Sequence, residues 1–197
     1  MRPLWMAVSI IAIDQGAKAI VRGRMRLGES IPVIGDWFKF TFTENPGMAF
    51  GIQFGSPLVV TGLAIVATVL IVVYLCVVHT NNIGYTLSLA LILGGAVGNI
   101  IDRVFFAVIY GYGGLFQGQV VDFIHFDLWS GRISQSIPLV GGNFVALFPI
   151  WNVADMSIIV GVVLVVMFQR AMQSSSEQAG EQSQLVADTP STEPLHS

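Results

Sequence analysis

Charged residues are scarce in this sequence: they fill 11% of its 197 positions, against about 25% in soluble domains. That shortage argues against a water-exposed globular fold and points to a membrane protein of one domain. Neither sign dominates. Nine Lys and Arg against twelve Asp and Glu leave a net charge of −3, which gives no basic footprint for a nucleic acid. Cysteine occurs once, as Cys76, so an internal disulfide is impossible; nearby His79 is no metal partner without further ligands, and a structural zinc site is excluded on ligand count. There is no Ser-His-Asp or Cys-His arrangement at a credible position, no H-E-x-x-H pair and no phosphate-cradling loop. No internal repeat is present.

Apolar residues are what the chain has in abundance, 54% of it, with a mean hydropathy of +0.74. A membrane helix needs about 20 mostly apolar residues. Four runs qualify, predicting helices over 4–21, 57–78, 85–103 and 150–168. The first is broken by Asp14, Gln15 and Lys18 and is followed by no A-x-A-like site, so it reads as a retained helix rather than a cleavable signal peptide. Between the first two runs, WFKFTFT (37–43) alternates Phe38, Phe40 and Phe42 with Lys39, Thr41 and Thr43. Period two is the strand signature. A β-rich loop over about 28–54 is therefore expected at the membrane interface, its aromatic side chains toward lipid. HTNNIG (79–84) reads as a tight turn. The stretch 104–149 is a long Gly-rich, aromatic loop in which YGYGGLFQG and LVGGNF should be irregular or short strands. After Arg170 the composition turns to Ser, Gln, Glu and Thr, so 1–170 reads as one membrane domain and 171–197 as a disordered polar tail.

Threading four helices up and down places the end of the first, the end of the third and the start of the fourth on one side of the membrane. That side collects Asp14, Lys18, Asn99, Asp102, Arg103, Asn152 and Asp155, and both long loops bring Glu44, Asn45 and Asp122 to it. A lone carboxylate well inside a bilayer costs about 2.5–3.5 kcal/mol on the mild insertion scale, so such residues pair or line a wet cavity. Each also has a plainer reading. Asp14 and Lys18 are spaced i,i+4 with the acid first, suited to a scaffolding ion pair. Asp102-Arg103 could be an interfacial anchor, and Asn99 with Arg103 could pack helices. Gly94-x-x-x-Gly98 is a close-packing face without chemistry. Asp155 beside Asn152 could be a solvated helix start, favoured by the helix dipole, and His125 an interfacial loop histidine. Trp37, Trp129 and Trp151 suit an aromatic belt.

Carboxylates gathered at the wet edge of a bundle suggest acid–base chemistry. Two aspartates brought close share a proton, one acting as base and the other as acid. Asp155 is the firm member; Asp14, Asp102, Asp122 and Asp127 are candidate partners, among which periodicity and topology do not choose. Two other classes compete: a lipid hydrolase or transferase using Asp122, Asp155 and Asn152 as ligands for a divalent cation, and a non-enzymatic membrane protein whose intramembrane charges line a path.

Five blocks carry a resemblance: Asp14-Gln15-x-x-Lys18, NPGMAF (45–50), GGAVGNIIDR (94–103), VVDFI (120–124) and FPIWNVAD (148–155). In this order the chain resembles the bacterial lipoprotein signal peptidases (type II signal peptidases), integral-membrane aspartyl proteases, across 14–168. The resemblance implies a mainly α membrane protein of four transmembrane helices with a β-rich cradle. It implies Asp122 and Asp155 as the catalytic pair and Asn45 and Gly47 as contacts to the substrate backbone. Asn99, Arg103 and Asn152 would position the scissile segment and the pair. Asp14 and Lys18 would be supporting polar residues, and Asp102 a partner within its block rather than an acid. The implied substrate is a prolipoprotein bearing a diacylglyceryl-cysteine, cut just before that cysteine by a water the pair activates. No metal or cofactor is expected, and the partners are the substrate and membrane lipid, with no nucleic acid. A monomer in the bacterial cytoplasmic (inner) membrane is expected, both termini cytoplasmic and the site near the periplasmic face.

Three departures from the family pattern stand out: Met48 where the first Ala of N-x-G-A-A-F is usual, a longer stretch between Arg103 and Asp122, and another between Asp122 and Asp155. The charge bias also runs against the implied topology. Arg22, Arg24, Arg26 and Lys39 fall in the first loop, opposite Arg2 and Arg170, whereas positive charge normally marks the cytoplasmic side.

Overall fold

The computed structural model describes residues 2–49, 52–53, 56–77, 82–132, 144–146 and 148–187. Four helices result from the four apolar runs: α1 (Arg2–Arg24), α2 (Pro57–Val77), α3 (Ile83–Ile109) and α4 (Val153–Ala187). Each contains a stretch long and apolar enough to cross a membrane, so the chain is a multi-pass membrane protein. Two ends differ from expectation. α3 continues past Asp102-Arg103 through VFFAVI to Ile109, because Asp102 is paired with Lys18 inside the bundle and does not mark an exit into water. α4 runs on to Ala187, where a disordered tail was expected from 171. A helix already nucleated by a membrane span propagates at little cost, and Gln, Glu, Met and Ala there are adequate helix formers. Residues 188–197 lie outside the described residues. So do 79–81 of the expected tight turn and 133–143 of the second long insertion. Asn82 starts α3 as its N-cap, its side chain accepting from the Tyr85 N–H at 3.0 Å.

α3 is the central helix, packed against α1, α2 and α4. Missing side chains on its glycines permit the close approach. A Cβ on Gly94 would sit 2.9 Å from the Ala7 carbonyl oxygen of α1, and one on Gly95 would collide with the Ala154 carbonyl and the Ser157 hydroxyl of α4.

On the side where α1 and α3 end and α4 begins stands a three-stranded antiparallel sheet, β1 (Ser30–Ile34), β2 (Phe38–Asn45) and β5 (Val120–Phe126), in the order β1-β2-β5. The short strands β3 (Met48–Ala49) and β4 (Ile52–Gln53) pair with each other, as do β6 (Ser130–Arg132) and β7 (Phe144–Ala146). The alternating run does form β2, but its aromatics do not simply face lipid. Phe42 is buried with Val21, Phe106, Val121 and Phe123, because one face of the sheet rests on the ends of α1 and α3. Phe38 stacks on Phe126, and Phe40 remains partly exposed.

Residues 110–118, the first insertion, form irregular turns that fold back over the end of α3: the Phe116 N–H donates to the Val104 carbonyl and the Gly118 N–H to that of Arg103. The loop is pinned on both flanks. Arg22 of α1 lies over the Tyr110 ring at 3.6 Å and pairs with Glu44. Thr61 of α2 donates to the Phe116 carbonyl. Arg22 thus spends its charge inside the fold, so the arginine count of the first loop overstates the free positive charge there.

Candidate active site

Two segments distant in the chain are sutured to each other at this end of the bundle. The Phe123 and Ile124 N–H groups both donate to the Trp151 carbonyl, at 2.8 and 2.7 Å, and the Trp151 N–H donates back to Ile124 at 2.9 Å. The strand carrying Asp122 is thereby fixed to Trp151, two residues ahead of α4.

The start of α4 is a capping box. Asn152 caps it: its Oδ1 accepts the Asp155 N–H at 2.9 Å, while Asp155 Oδ2 accepts the Asn152 N–H at 3.3 Å. Asp155 therefore sits in the first helical turn, where a carboxylate is favoured by the free N–H groups and the helix dipole. The same Asn152 reaches across with its Nδ2, donating to Asp122 Oδ1 at 2.7 Å and to Asn99 Oδ1 at 3.1 Å. Asn99 Nδ2 donates to Asp155 Oδ1 at 2.8 Å. On the other flank, Asn45 Nδ2 donates to Asp122 Oδ2 at 3.1 Å, and the Gly47 N–H donates to Asn45 Oδ1 at 2.8 Å. Gly47 adopts φ +113°, and a Cβ there would strike Val60 of α2; the turn needs glycine on both counts.

Asp122 and Asp155 line one cavity of about 280 Å³, with Asn45, Trp151 and the apolar Ile150 and Ile158 among its walls. A second cavity of about 300 Å³ opens between α2 and the α3–α4 pair, bounded by Ala64, Thr68, Asn99, Arg103 and again Ile158. Ile158 lines both the chamber that holds the two carboxyl groups and the cleft within the helix bundle. Burial pushes the Asp122 carboxyl up to about 8, helped by the charge of Asp155 and opposed by the amide groups of Asn45 and Asn152 and by Lys18. Asp122 is 2% exposed, so water does little to offset this.

The other carboxylates considered as partners are elsewhere. Asp14 and Asp102 are fully buried behind the cavity, each 2.8 Å from the Lys18 ammonium. The expected Asp14–Lys18 pair is thus half of a triad. Asp127 is at the far end of β5, paired with Lys39 at 2.8 Å. Arg103 has one buried nitrogen, Nη1, without a hydrogen-bond partner among the described residues, and it borders the second cavity. His125 contacts the Thr41 hydroxyl at 2.9 Å, with burial lowering its basicity. Among the described residues no group of three or more His, Cys, Asp or Glu is placed to hold a metal.

Two participants gave little signal in the sequence. Gln15 donates to Asp14, Asp102 and the Gly98 carbonyl; its place between Asp14 and Lys18 in an apolar helix was the available hint. Trp151 acts through its backbone, which leaves no mark on side-chain chemistry.

A model of the signal peptidase (SPase) II family matches residues 6–170. A lipoprotein signal peptidase of Amoebophilus asiaticus is 41% identical over 180 residues, covering 84% of this chain and 76% of that protein. One from Pelodictyon phaeoclathratiforme is 35% identical, covering 87% and 91%. Among solved structures, a bacterial membrane enzyme determined by the in meso method at 2.3 Å superposes with a TM-score of 0.65 at 28% identity, over 88% of this chain and 90% of that one.

Proposed function

The chain belongs to the signal peptidase II family, a family of membrane proteases, and from that premise we propose that it is an aspartic endopeptidase acting through Asp122 and Asp155. Its substrate is a prolipoprotein carrying a diacylglyceryl-cysteine, cut immediately before that cysteine. The reading rests chiefly on one observation: these two carboxylates face the same cavity, joined through Asn152 and Asn99, and neither is held in an ion pair among the described residues.

Near neutral pH the pair holds one proton, which we place on Asp122, the carboxyl pushed up to about 8. Asp155 takes a proton from water as that water attacks the peptide carbonyl; Asp122 gives its proton to the carbonyl oxygen as the tetrahedral centre forms. Collapse of that centre returns a proton to the leaving amine. Asn45 and Gly47 hold the substrate backbone beside Asp122, and Arg103, with Asn99, fixes the scissile segment from the α3 side. The cleft between α2 and the α3–α4 pair lets a substrate that is itself a lipid-borne helix reach the chamber without leaving the bilayer. The enzyme works as a monomer in the bacterial inner membrane, both termini cytoplasmic and the sheet end on the periplasmic side.

The test is cleavage of a diacylglyceryl-modified prolipoprotein by the purified protein and by Asp122→Asn and Asp155→Asn. Each variant should remain folded and lose at least about 10³-fold in kcat. Near-full activity in either variant refutes the paired mechanism. Loss of wild-type activity in a strong chelator would favour divalent-cation chemistry instead.

A further inference from the structure

Behind the chamber, Lys18 donates to three oxygens: Asp14 Oδ2 at 2.8 Å, Asp102 Oδ2 at 2.8 Å and Asn99 Oδ1 at 3.1 Å. An ammonium has three N–H groups and no acceptor, so its capacity is used in full. Lys18, Asp14 and Asp102 are all completely buried. Both carboxylates also accept from backbone N–H groups. Asp14 Oδ1 accepts the N–H of Ala154 at 2.9 Å, and Asp102 Oδ2 also accepts the N–H of Val121 at 3.2 Å. Ala154 is the residue before Asp155, and Val121 is the residue before Asp122. Each scaffolding carboxylate therefore grips the backbone one position ahead of one member of the reactive pair.

We infer that Lys18 is a positioning residue that sets the separation of Asp122 and Asp155. It is the node through which a tether to β5 (via Asp102) and a tether to α4 (via Asp14) are joined. Its third N–H meets the Asn99 oxygen, turning the Asn99 amide so that its NH₂ faces Asp155. The Trp151 suture fixes the same two segments farther from the chamber, so the triad and the suture bracket the pair from two sides. This inference rests on the paired-aspartate reading above.

Two close carboxylates titrate as a unit, and the gap between their two apparent pKa values measures their coupling. The groups facing the pair are Lys18 and Asp14 from α1 and Asp102 and Arg103 from α3; Glu44 on β2 is turned to Arg22. Deleting the Lys18 charge displaces both limbs of a bell-shaped pH–rate profile in the same direction. A change in the separation of the pair alters its coupling and with it the width of the bell. The width is thus a readout that loss of bulk stability does not move.

The experiment measures kcat, KM and the pH–rate profile of the full-length purified protein, with a diacylglyceryl-modified prolipoprotein, for wild type, Lys18→Met and Asp102→Asn. Asp102→Asn leaves Lys18 paired one-to-one with Asp14, so no buried ammonium is stranded, and it decides the matter alone if Lys18→Met does not unfold cooperatively. Misplacement of reacting groups by about 1 Å costs on the order of 10²-fold in rate. The expected result is a kcat lower by about that factor for Lys18→Met, with KM within about twofold. The bell should narrow by about one pH unit, and Asp102→Asn should fall between. A folded variant with lowered kcat and the wild-type width overturns the positioning role while leaving the peptidase reading intact. Failure of the wild type itself to cleave overturns both.

Discussion

Replacing Asp122 by Asn should make the protein more stable at alkaline pH while abolishing activity. Folding moves the Asp122 carboxyl from an ordinary 3.8 up to about 8. A group whose proton affinity is raised in the folded state supports that state fully below its ordinary value, and the support is lost as pH climbs to about 8. Each decade is worth about 1.4 kcal/mol, so between pH 5 and pH 8 the wild type forfeits about 4 kcal/mol through this one residue. The substitution removes that slope. It also costs something at every pH, because the introduced NH₂ must face one of the two amide donors, Asn45 or Asn152, that now point at the carboxylate. That penalty is about 1–3 kcal/mol and does not depend on pH. The decisive quantity is therefore the change in the difference between variant and wild type. Thermal unfolding in one detergent at pH 5 and pH 8 should show the variant gaining on the wild type by roughly 10 °C, at about 2–4 °C per kcal/mol for a chain of this size. A difference that stays constant across that range refutes the claim that Asp122 is protonated in the fold near neutrality.

Three further outcomes follow from the same geometry. Asn45→Ala removes a hydrogen bond that favours the Asp122 carboxylate, so the alkaline limb of the cleavage profile should move upward by about half a unit or more; a downward move contradicts the contact. Gly95→Val drives a side chain into the Ala154 carbonyl and Ser157. It should cost about 3 kcal/mol by overpacking, read as a lowered melting temperature, and an unchanged one would mean the α3–α4 approach is looser than described. His125→Gln replaces a side chain that meets the Thr41 hydroxyl on the sheet and should leave kcat within about threefold at every pH; loss of a limb would assign the histidine a proton-transfer role.

The helices were legible because each is an apolar run of the length a membrane demands, and β2 because Phe38, Phe40 and Phe42 keep a strict alternation. The end of α3 was misread for a physical reason. Asp102-Arg103 looks like an exit into water, yet Asp102 is neutralised by Lys18 and Gln15 from another helix, and no local pattern records that. The polar layer could be gathered from topology alone, but the choice of Asp122 among four carboxylates could not. It depends on the register of β5 and on backbone hydrogen bonds to Trp151, and backbone groups are the same in every sequence. Asn152 and Asp155 had a bland reading as a helix start and a chemical one as a site. The capping box shows that the first is true and is also the means of holding the carboxylate where the second would require it.

The suture between Ile124 and Trp151 has a consequence for how this protein can vary. It ties together the two ends of the intervening segment, whose last residues, Pro149 and Ile150, still wall the chamber. Lengthening an already closed loop adds only about 0.6 kcal/mol per doubling, and none of that is charged to the geometry of the two aspartates. Residues can therefore be added or exchanged between those ends for a reporter or an affinity handle, so long as Pro149 and Ile150 keep their place in the chamber wall.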